Sequence, residues 1–208
     1  MERGRFISLE GGEGVGKSTQ LTALRDALQA RGLDVHVTRE PGGSPGAEEI
    51  RELLLGGEEA RWSARAEALL FAAARADHVE KVIRPALNEG RWVLSDRFID
   101  SSIAYQGEAG GLGVDAIRAL HRFGSEDFFP DRTLVLMLEG GEGGRRARAR
   151  DQRGDRIGDR DGRYHDKVER GFRAIAEAQP DRVRLIDASG APDDVTKRLI
   201  DELADVLP

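Results

Sequence analysis

The 208-residue chain contains no cysteine, and only 5% of its residues are aromatic. The absence of cysteine excludes disulfides, thiolate catalysis and zinc sites built on sulfur, and it is typical of a cytoplasmic protein. The chain also lacks any run of 18 or more apolar residues, so we expect no membrane span. The first predicted strand follows the N-terminus directly, and we therefore expect no cleaved signal peptide.

The charge balance of the chain excludes a further class of protein. The formal net charge is −6, so the general basic surface of a nucleic-acid-binding protein is lacking and we expect no nucleic-acid partner. The length suits one large domain with a sizeable core, and no internal repeat or low-complexity linker divides the sequence. We therefore expect a single domain over residues 1–208.

A glycine-rich octapeptide is the most informative feature that is present. Residues 11–18 read Gly-Gly-Glu-Gly-Val-Gly-Lys-Ser and fit the phosphate-binding pattern G-x-x-x-x-G-K-[ST]. A short apolar strand, Arg5–Glu10, precedes the motif, and an amphipathic helix, Thr19–Ala30, follows it. This strand–loop–helix context is the one that the motif requires. A chance glycine-rich turn would explain neither the Lys-Ser ending nor the flanking elements.

The chemistry of such a loop follows from its residue types. Glycines allow successive backbone N–H groups to face an anion, and the helix N-terminus adds partial positive charge. Lys17 can then reach the β- and γ-phosphates of a nucleotide, and the Ser18 hydroxyl can bind Mg²⁺. The sequence thus predicts a nucleoside triphosphate site at the end of the first strand.

Strand-like and helical patterns alternate along the rest of the chain. The further predicted strands are Asp34–Arg39, Arg91–Ser95, Arg132–Leu138 and Arg182–Asp187. The further predicted helices cover roughly residues 47–55, 64–88, 114–123, 164–178 and 192–206. Strands separated by helices require crossover connections. The pattern predicts an α/β protein of the P-loop NTPase type, in which helices flank a central, mostly parallel five-stranded sheet in three layers.

Ligands of such sheets bind beyond the carboxyl ends of the strands, and charged residues stand there. Asp96 ends the third strand, where P-loop proteins place a carboxylate that holds Mg²⁺; an ordinary turn aspartate is the alternative. Arg97 follows, and Arg39 ends the second strand. Because guanidinium groups bind phosphate well, the two arginines suggest a second anion site. The alternative for Arg39 is a salt bridge with Glu40 or another acid.

An arginine-rich segment, about residues 145–163, follows the fourth strand. Its arginines are Arg145, Arg146, Arg148, Arg150, Arg153, Arg156, Arg160 and Arg163. Such a run is usually a solvated face or a nucleic-acid tail. Here aspartates cancel much of its charge and glycines interrupt it, which favours a mobile lid that closes over phosphates.

These motifs together resemble bacterial thymidylate kinases, which phosphorylate dTMP to dTDP. The resemblance covers the chain from about Phe6 to the C-terminus. Besides the phosphate loop, the matching segments are residues 38–45, 67–79, 96–106 and 145–150, with Asp155–Ile157 after the last of them. A phosphate loop alone names only a superfamily, whereas this ordered set indicates one activity.

The resemblance implies a binding site for dTMP. Phe71, which the pattern alone assigns to the core, would stack on thymine, and Arg75 and Gln106 would hydrogen-bond to its edge. Ser102 would lie beside the base, and Tyr105 under the deoxyribose. The full implied set for dTMP is Glu13, Arg39, Phe71, Arg75, Arg97, Ser102, Tyr105 and Gln106.

The resemblance also implies the catalytic groups. Arg39 and Arg97 would hold the dTMP phosphate, and Glu13 would approach the 3′-hydroxyl. Because the loop carries Glu13 rather than an arginine, the chain is similar to the members whose catalytic arginine is in the lid. The implied catalytic residues are Lys17, Arg97, Arg150 and Arg156. The implied ATP-binding residues are Gly11, Gly12, Glu13, Gly14, Val15, Gly16, Lys17, Ser18 and Thr19.

The implied reaction is transfer of the ATP γ-phosphoryl group to dTMP, with Mg²⁺ held by Ser18 and Asp96. The family further implies a cytoplasmic homodimer of nucleotide biosynthesis that acts on small molecules. The chain departs from the family pattern at Glu139-Gly-Gly, at Gly158 and near Tyr164, which leaves the lid contacts open.

Three alternatives remain at this point. Another nucleoside monophosphate kinase would differ only in its base pocket. A GTPase would carry N-K-x-D, but the only asparagine, Asn88, is followed by Glu89. An RNA-binding protein would leave the phosphate loop unexplained.

Overall fold

A parallel five-stranded sheet forms the centre of the computed structural model, which describes residues 3–139, 142–149, 157, 158 and 160–208. The strands are β1 (Phe6–Gly11), β2 (Val35–Arg39), β3 (Trp92–Asp96), β4 (Arg132–Met137) and β5 (Val183–Asp187). Their order in the sheet is β2-β3-β1-β4-β5, and every ladder is parallel. The predicted fold class is confirmed, with strand ends within about one residue of prediction.

Helices connect the strands and cover both faces of the sheet. They are α1 (Lys17–Gln29), α2 (Pro45–Leu55), α3 (Ala64–His78), α4 (Arg84–Asn88), α5 (Ile99–Ser102), α6 (Val114–Ser125), α7 (Glu142–Ala149), α8 (Gly162–Ala178) and α9 (Pro192–Asp201). A π-helical segment, Val79–Ile83, joins α3 to α4, and another, Ile103–Ala109, continues α5. A short 3₁₀ turn spans Glu59–Arg61.

Three helical predictions need correction, and the first is that helix α7 (Glu142–Ala149) was not predicted. The last helix ends at Asp201, five residues before the predicted end at residue 206. The helical stretch that begins at Ile99 was not predicted at all. Asp100, Ser101 and Gln106 within it are buried together with its apolar residues, so the stretch lacks the one-sided periodicity by which a helix is recognised.

Apolar side chains on the two faces of the sheet form two separate cores. On one face Phe6, Val93 and Phe98 pack with residues of α3 and α8. On the other, Ile7 and Leu9 pack with residues of α1 and α9. Alternate residues of β1 thus enter different cores, as expected for a strand that is buried on both faces. Within the part of the chain that the structure describes, no helix combines the length and apolarity needed to cross a lipid bilayer.

The register of the sheet brings the charged strand ends to one edge. Asp96 of β3 lies opposite Leu9 of β1 and opposite Arg39 of β2. Gly11, where the phosphate loop begins, lies opposite Leu136 of β4. The loop, Asp96 and Arg97 therefore meet at the carboxyl edge of the sheet.

Candidate active site

The phosphate loop turns sharply between β1 and α1, and glycine makes the turn possible. Gly11 has a φ of 132°, and a Cβ there would lie 2.5 Å from the carbonyl oxygen of Leu136. Gly16, at the N-cap of α1, has a φ of 97°. Both values favour glycine. Because no side chain caps α1, its first-turn N–H groups remain for an anion.

Lys17 lies inside this loop. Its Nζ donates to the carbonyl oxygens of Gly12, at 2.7 Å, and Gly11, at 3.2 Å. Burial, and next the charge of Arg97, lower the pKa of Lys17 to about 8. Ser18 is exposed at the start of α1. The loop therefore carries an ammonium group and, beside it, a hydroxyl group that faces solvent.

Arg97 has a left-handed backbone, with a φ of 71°, and its side chain reaches the phosphate loop. Its guanidinium donates to Glu13 Oε1 at 2.6 Å, and to the Gly11 carbonyl and Ser101 Oγ at 3.0 Å each. The charge of Arg97 is the main reason that the pKa of Glu13 falls to about 2. An unusual backbone fixed by such contacts is common at functional sites.

One carboxylate oxygen of Asp96 supports the predicted role of this residue in binding a metal. Its Oδ1 atom is buried and has no hydrogen-bond partner among the described residues. An unpaired buried carboxylate oxygen is costly, and a bound cation would satisfy it. With the Ser18 hydroxyl it offers the oxygen ligands that Mg²⁺ prefers. The described residues hold no group of three or more His, Cys, Asp or Glu fit for a metal.

Helix α3 presents three of its residues, Glu67, Phe71 and Arg75, at a spacing of four. Arg75 is buried, and its guanidinium donates to Glu40 Oε2 at 2.7 Å and to Ser102 Oγ at 2.9 Å. Phe71 is only partly buried and packs against the core. Its side chain therefore contributes to the core and still has accessible surface. Glu40 was not predicted as a site residue, although it lies in the matching segment 38–45.

The segment after β3 adds Tyr105 and Gln106. The Tyr105 hydroxyl donates to Glu13 Oε1 at 3.4 Å, and its ring centre lies 5.0 Å from the guanidinium carbon of Arg97. Gln106 Nε2 donates to Glu67 Oε1 at 3.0 Å. A cleft of about 400 Å³ opens beside these groups. It is lined by Ala60, Trp62, Ala64, Glu67, Gln106, Gly110, Arg160 and Tyr164.

Some predicted residues do not join this cluster. Arg39 is exposed, and its guanidinium forms a salt bridge with Glu48 at 3.1 Å. In this structure Arg39 therefore has the alternative role given above, a salt bridge, but its partner is Glu48 and not Glu40. The predicted lid residues Arg150 and Arg156 lie outside the described residues. Arg160 was counted in the lid without a role of its own, yet it contacts both Glu67 and Tyr164.

The geometry at the sheet edge allows a triphosphate and a second nucleotide to bind with their phosphates facing each other. The loop and Lys17 can bind the first, and Arg97 with the polar groups of Arg75 and Gln106 can bind the second. These features define a P-loop nucleotide kinase.

Comparison with known proteins narrows this class to a family. A sequence model described as thymidylate kinase matches residues 9–199. A thymidylate kinase of Rhizorhabdus wittichii is 62% identical over 206 residues, 99% of each chain. One of Caulobacter vibrioides is 49% identical over 201 residues, 97% of this chain and 96% of that one. The crystal structure of thymidylate kinase from Ehrlichia chaffeensis matches with a TM-score of 0.76 at 32% identity, and the match covers 97% of this chain and 99% of that one. The chain belongs to the thymidylate kinase family.

This membership confirms the predicted activity and enzyme class, an ATP-dependent nucleoside monophosphate kinase, and decides against the GTPase and RNA-binding alternatives. Kinases of this family take ATP as phosphoryl donor, generally with a divalent metal.

Proposed function

We propose that the chain transfers the γ-phosphoryl group of ATP to dTMP, and that the residues gathered at the sheet edge bind the two nucleotides end to end. The observation that carries this proposal is the convergence on Glu13. Arg97 and Tyr105 both donate to this residue of the phosphate loop. Two residues assigned to dTMP, Arg97 and Tyr105, are thus in direct contact with the loop assigned to ATP.

The acceptor oxygen of dTMP is anionic at neutral pH, so the reaction needs no general base. The barrier arises from repulsion between two polyanions and from the charge that spreads over the moving phosphoryl group. Lys17 and Arg97 reduce both contributions to the barrier, because each brings fixed positive charge into a partly desolvated site. When dTMP binds, Arg97 would exchange its bond with Glu13 for one with the dTMP phosphate. The exchange needs little movement, because the guanidinium already lies at the loop.

Mg²⁺ is the divalent metal that we propose for this site, held by Asp96 and Ser18. When bound, it neutralises phosphate charge and orients the donor. The unpaired Oδ1 of Asp96 supports this assignment.

On the dTMP side, Phe71 would stack on thymine, while Arg75 and Gln106 would bind its edge beside Ser102. Tyr105 would lie under the deoxyribose, where its bulk disfavours a 2′-hydroxyl, and Arg39 would release Glu48 to join Arg97 at the phosphate. The partly exposed ring of Phe71 and the buried donors of Arg75 support these roles.

The remaining assignments rest on the resemblance to the family. We propose one kinase domain over residues 1–208, with a lid at about 145–163 from which Arg150 and Arg156 complete the site and exclude water. We further propose a cytoplasmic homodimer that supplies dTDP for dTTP synthesis, with no nucleic-acid or membrane partner.

A coupled ADP-release assay with ATP and a panel of monophosphates tests the proposal. We expect dTMP to be strongly preferred over dCMP, AMP and GMP, and turnover to stop when EDTA removes the metal. Equal rates across the panel would contradict the base pocket.

A further inference from the structure

Glu67 is a buried carboxylate to which no role in the reaction has been assigned. It is 2% exposed and lies one helical turn before Phe71 on α3. Its Oε1 accepts from Gln106 Nε2 at 3.0 Å, and its Oε2 accepts from Arg160 at 2.8 Å. The two oxygens thus join the base pocket to the start of α8, where Arg160 also donates to the Tyr164 hydroxyl at 2.6 Å.

The contact with Glu67 determines which end of the Gln106 amide faces the cleft. A carboxylate in an ion pair with arginine can only accept hydrogen bonds, so the NH₂ group of Gln106 must be the end that faces it. The carbonyl Oε1 is then the end of the amide available for a ligand. Because Gln106 lines the cleft and turns its NH₂ group to Glu67, the carbonyl acceptor is the group that we expect it to present to a ligand.

Arg75 supplies the complementary half of this pattern. A guanidinium donates and never accepts, and the buried Arg75 is held by Glu40 and Ser102. In the proposed base site the pair would therefore offer one donor and one acceptor. Thymine matches it with the O4 acceptor and the N3–H donor. Cytosine reverses both groups, with an amino donor at position 4 and an acceptor at N3.

We infer that Glu67 fixes the orientation of the Gln106 amide and is thereby a positioning residue for the choice of thymine over cytosine. The inference rests on the proposed base site of Arg75 and Gln106. Without the fixed carboxylate, Gln106 can turn its NH₂ group to the cleft and satisfy the N3 atom of cytosine.

The test is the substitution Glu67→Gln, which keeps the size of the side chain but allows it to donate or accept. We expect the ratio of kcat/KM for dTMP to that for dCMP to fall about tenfold or more, the value of one hydrogen bond with the wrong polarity. The KM for dTMP should change more than kcat does. The ratio of dTMP to dUMP should stay constant, because uracil and thymine present the same edge.

Two further variants make the result decisive. Arg160→Gln leaves the Glu67–Gln106 bond intact and should keep the dTMP to dCMP ratio within about twofold of wild type. In E67Q alone, Arg160 loses its carboxylate partner and is left as an unpaired charge. The double variant E67Q/R160Q removes that charge as well and should show the same loss of discrimination as E67Q. An unchanged dTMP to dCMP ratio in E67Q and in the double variant, or a parallel loss in the dUMP ratio, would overturn the inference.

Failure of the underlying base site has a different signature. Gln106→Ala should lower kcat/KM for dTMP and bring the dTMP to dCMP ratio towards one. If Q106A leaves both unchanged, the proposed pocket is wrong. If Q106A behaves as expected and E67Q does not, only the role of Glu67 is wrong.

Discussion

At the scale of single residues, Arg97 connects the two halves of the site. Its left-handed backbone turns the side chain from the end of β3 towards the phosphate loop, where it contacts Glu13 and Gly11, and it also donates to Ser101 of α5. A lysine in its place keeps the charge but loses the planar fork that binds phosphate through two bonds.

We therefore expect Arg97→Lys to lower kcat by about 10²-fold and Arg97→Ala by more, comparable to the loss of one transition-state donor. Coupled ADP release with saturating ATP and dTMP measures this. Arg25→Ala, which removes an arginine paired with Asp26 on the exposed side of α1, serves as the control and should keep wild-type turnover. Near-normal kcat in R97A would refute the role of Arg97.

Glu10 is a second residue whose environment has a measurable consequence. It is fully buried at the end of β1, where its carboxyl group accepts from the Phe98 N–H at 2.7 Å and from Ser101 Oγ at 2.5 Å. Burial, and next the charge of Asp100, raise its pKa from 4.5 to about 8. The protonated acid therefore helps to hold the segment that carries Arg97.

The sign of the pH dependence follows from this raised pKa. Between pH 4.5 and about 8 the folded protein keeps a proton on Glu10 that the unfolded chain has released. The free energy of unfolding should thus fall as pH rises through this interval, by up to about 1.4 kcal/mol per pH unit from this group. Glu10→Gln should remove that slope in urea denaturation at pH 5.5 to 7.5. Glu49→Gln, which removes an exposed carboxylate from α2, is the control. Parallel pH profiles for E10Q and wild type would contradict the prediction.

At the scale of elements, the short helix α5 is held to the sheet by a buried ion pair. Asp100 accepts two hydrogen bonds of 2.7 Å from Arg182, just before β5, and one of 2.9 Å from Thr133 of β4. Asp100 is fully buried. Removal of one partner would leave a guanidinium in a largely desolvated place.

We expect Asp100→Ala to lower the free energy of unfolding by about 3–5 kcal/mol, the usual cost of breaking a buried pair. Urea denaturation followed by circular dichroism measures it. The matched control is Glu169→Ala, which breaks an exposed pair with Arg173 on α8 and should cost less than about 1 kcal/mol. Similar losses in the two variants would show that burial of the pair is not what stabilises α5.

Elements also show how far the sequence alone predicts this molecule. The strands and the phosphate loop were predictable because their signals are local: apolar runs, and glycines followed by Lys17 and Ser18. The helix at Ile99 was missed since its polar residues are buried. Glu40, Glu67 and Arg160 gain their roles from partners that are distant along the chain, and no local pattern reveals such partners. The helical spacing of Glu67, Phe71 and Arg75 indicates only that these three residues share one face of α3, and it does not identify their partners.

At the scale of the whole molecule, a net charge of −6 coexists with two largely buried cations, Lys17 and Arg97, at the carboxyl edge of the sheet. An acidic surface repels nucleotides at a distance, so their binding depends on groups within a few ångströms of the phosphates. In the proposed arrangement the two nucleotides occupy different places. Asp96 would belong to the donor side and Gln106 to the acceptor side, so we expect their contributions to be separable.

Thermal unfolding with one ligand at a time tests this separation. A ligand at 100 times its Kd stabilises the folded state by about 2.7 kcal/mol, which corresponds to a rise in Tm of about 5–10 °C for a chain of this size. For wild type we expect such a rise with dTMP alone and with a non-hydrolysable ATP analogue plus Mg²⁺. Asp96→Asn should lose most of the rise with the analogue and keep that with dTMP. Gln106→Ala should do the opposite. If either variant lost both responses while its unliganded Tm stayed normal, the two sites would not be independent, and the end-to-end arrangement of donor and acceptor would be wrong.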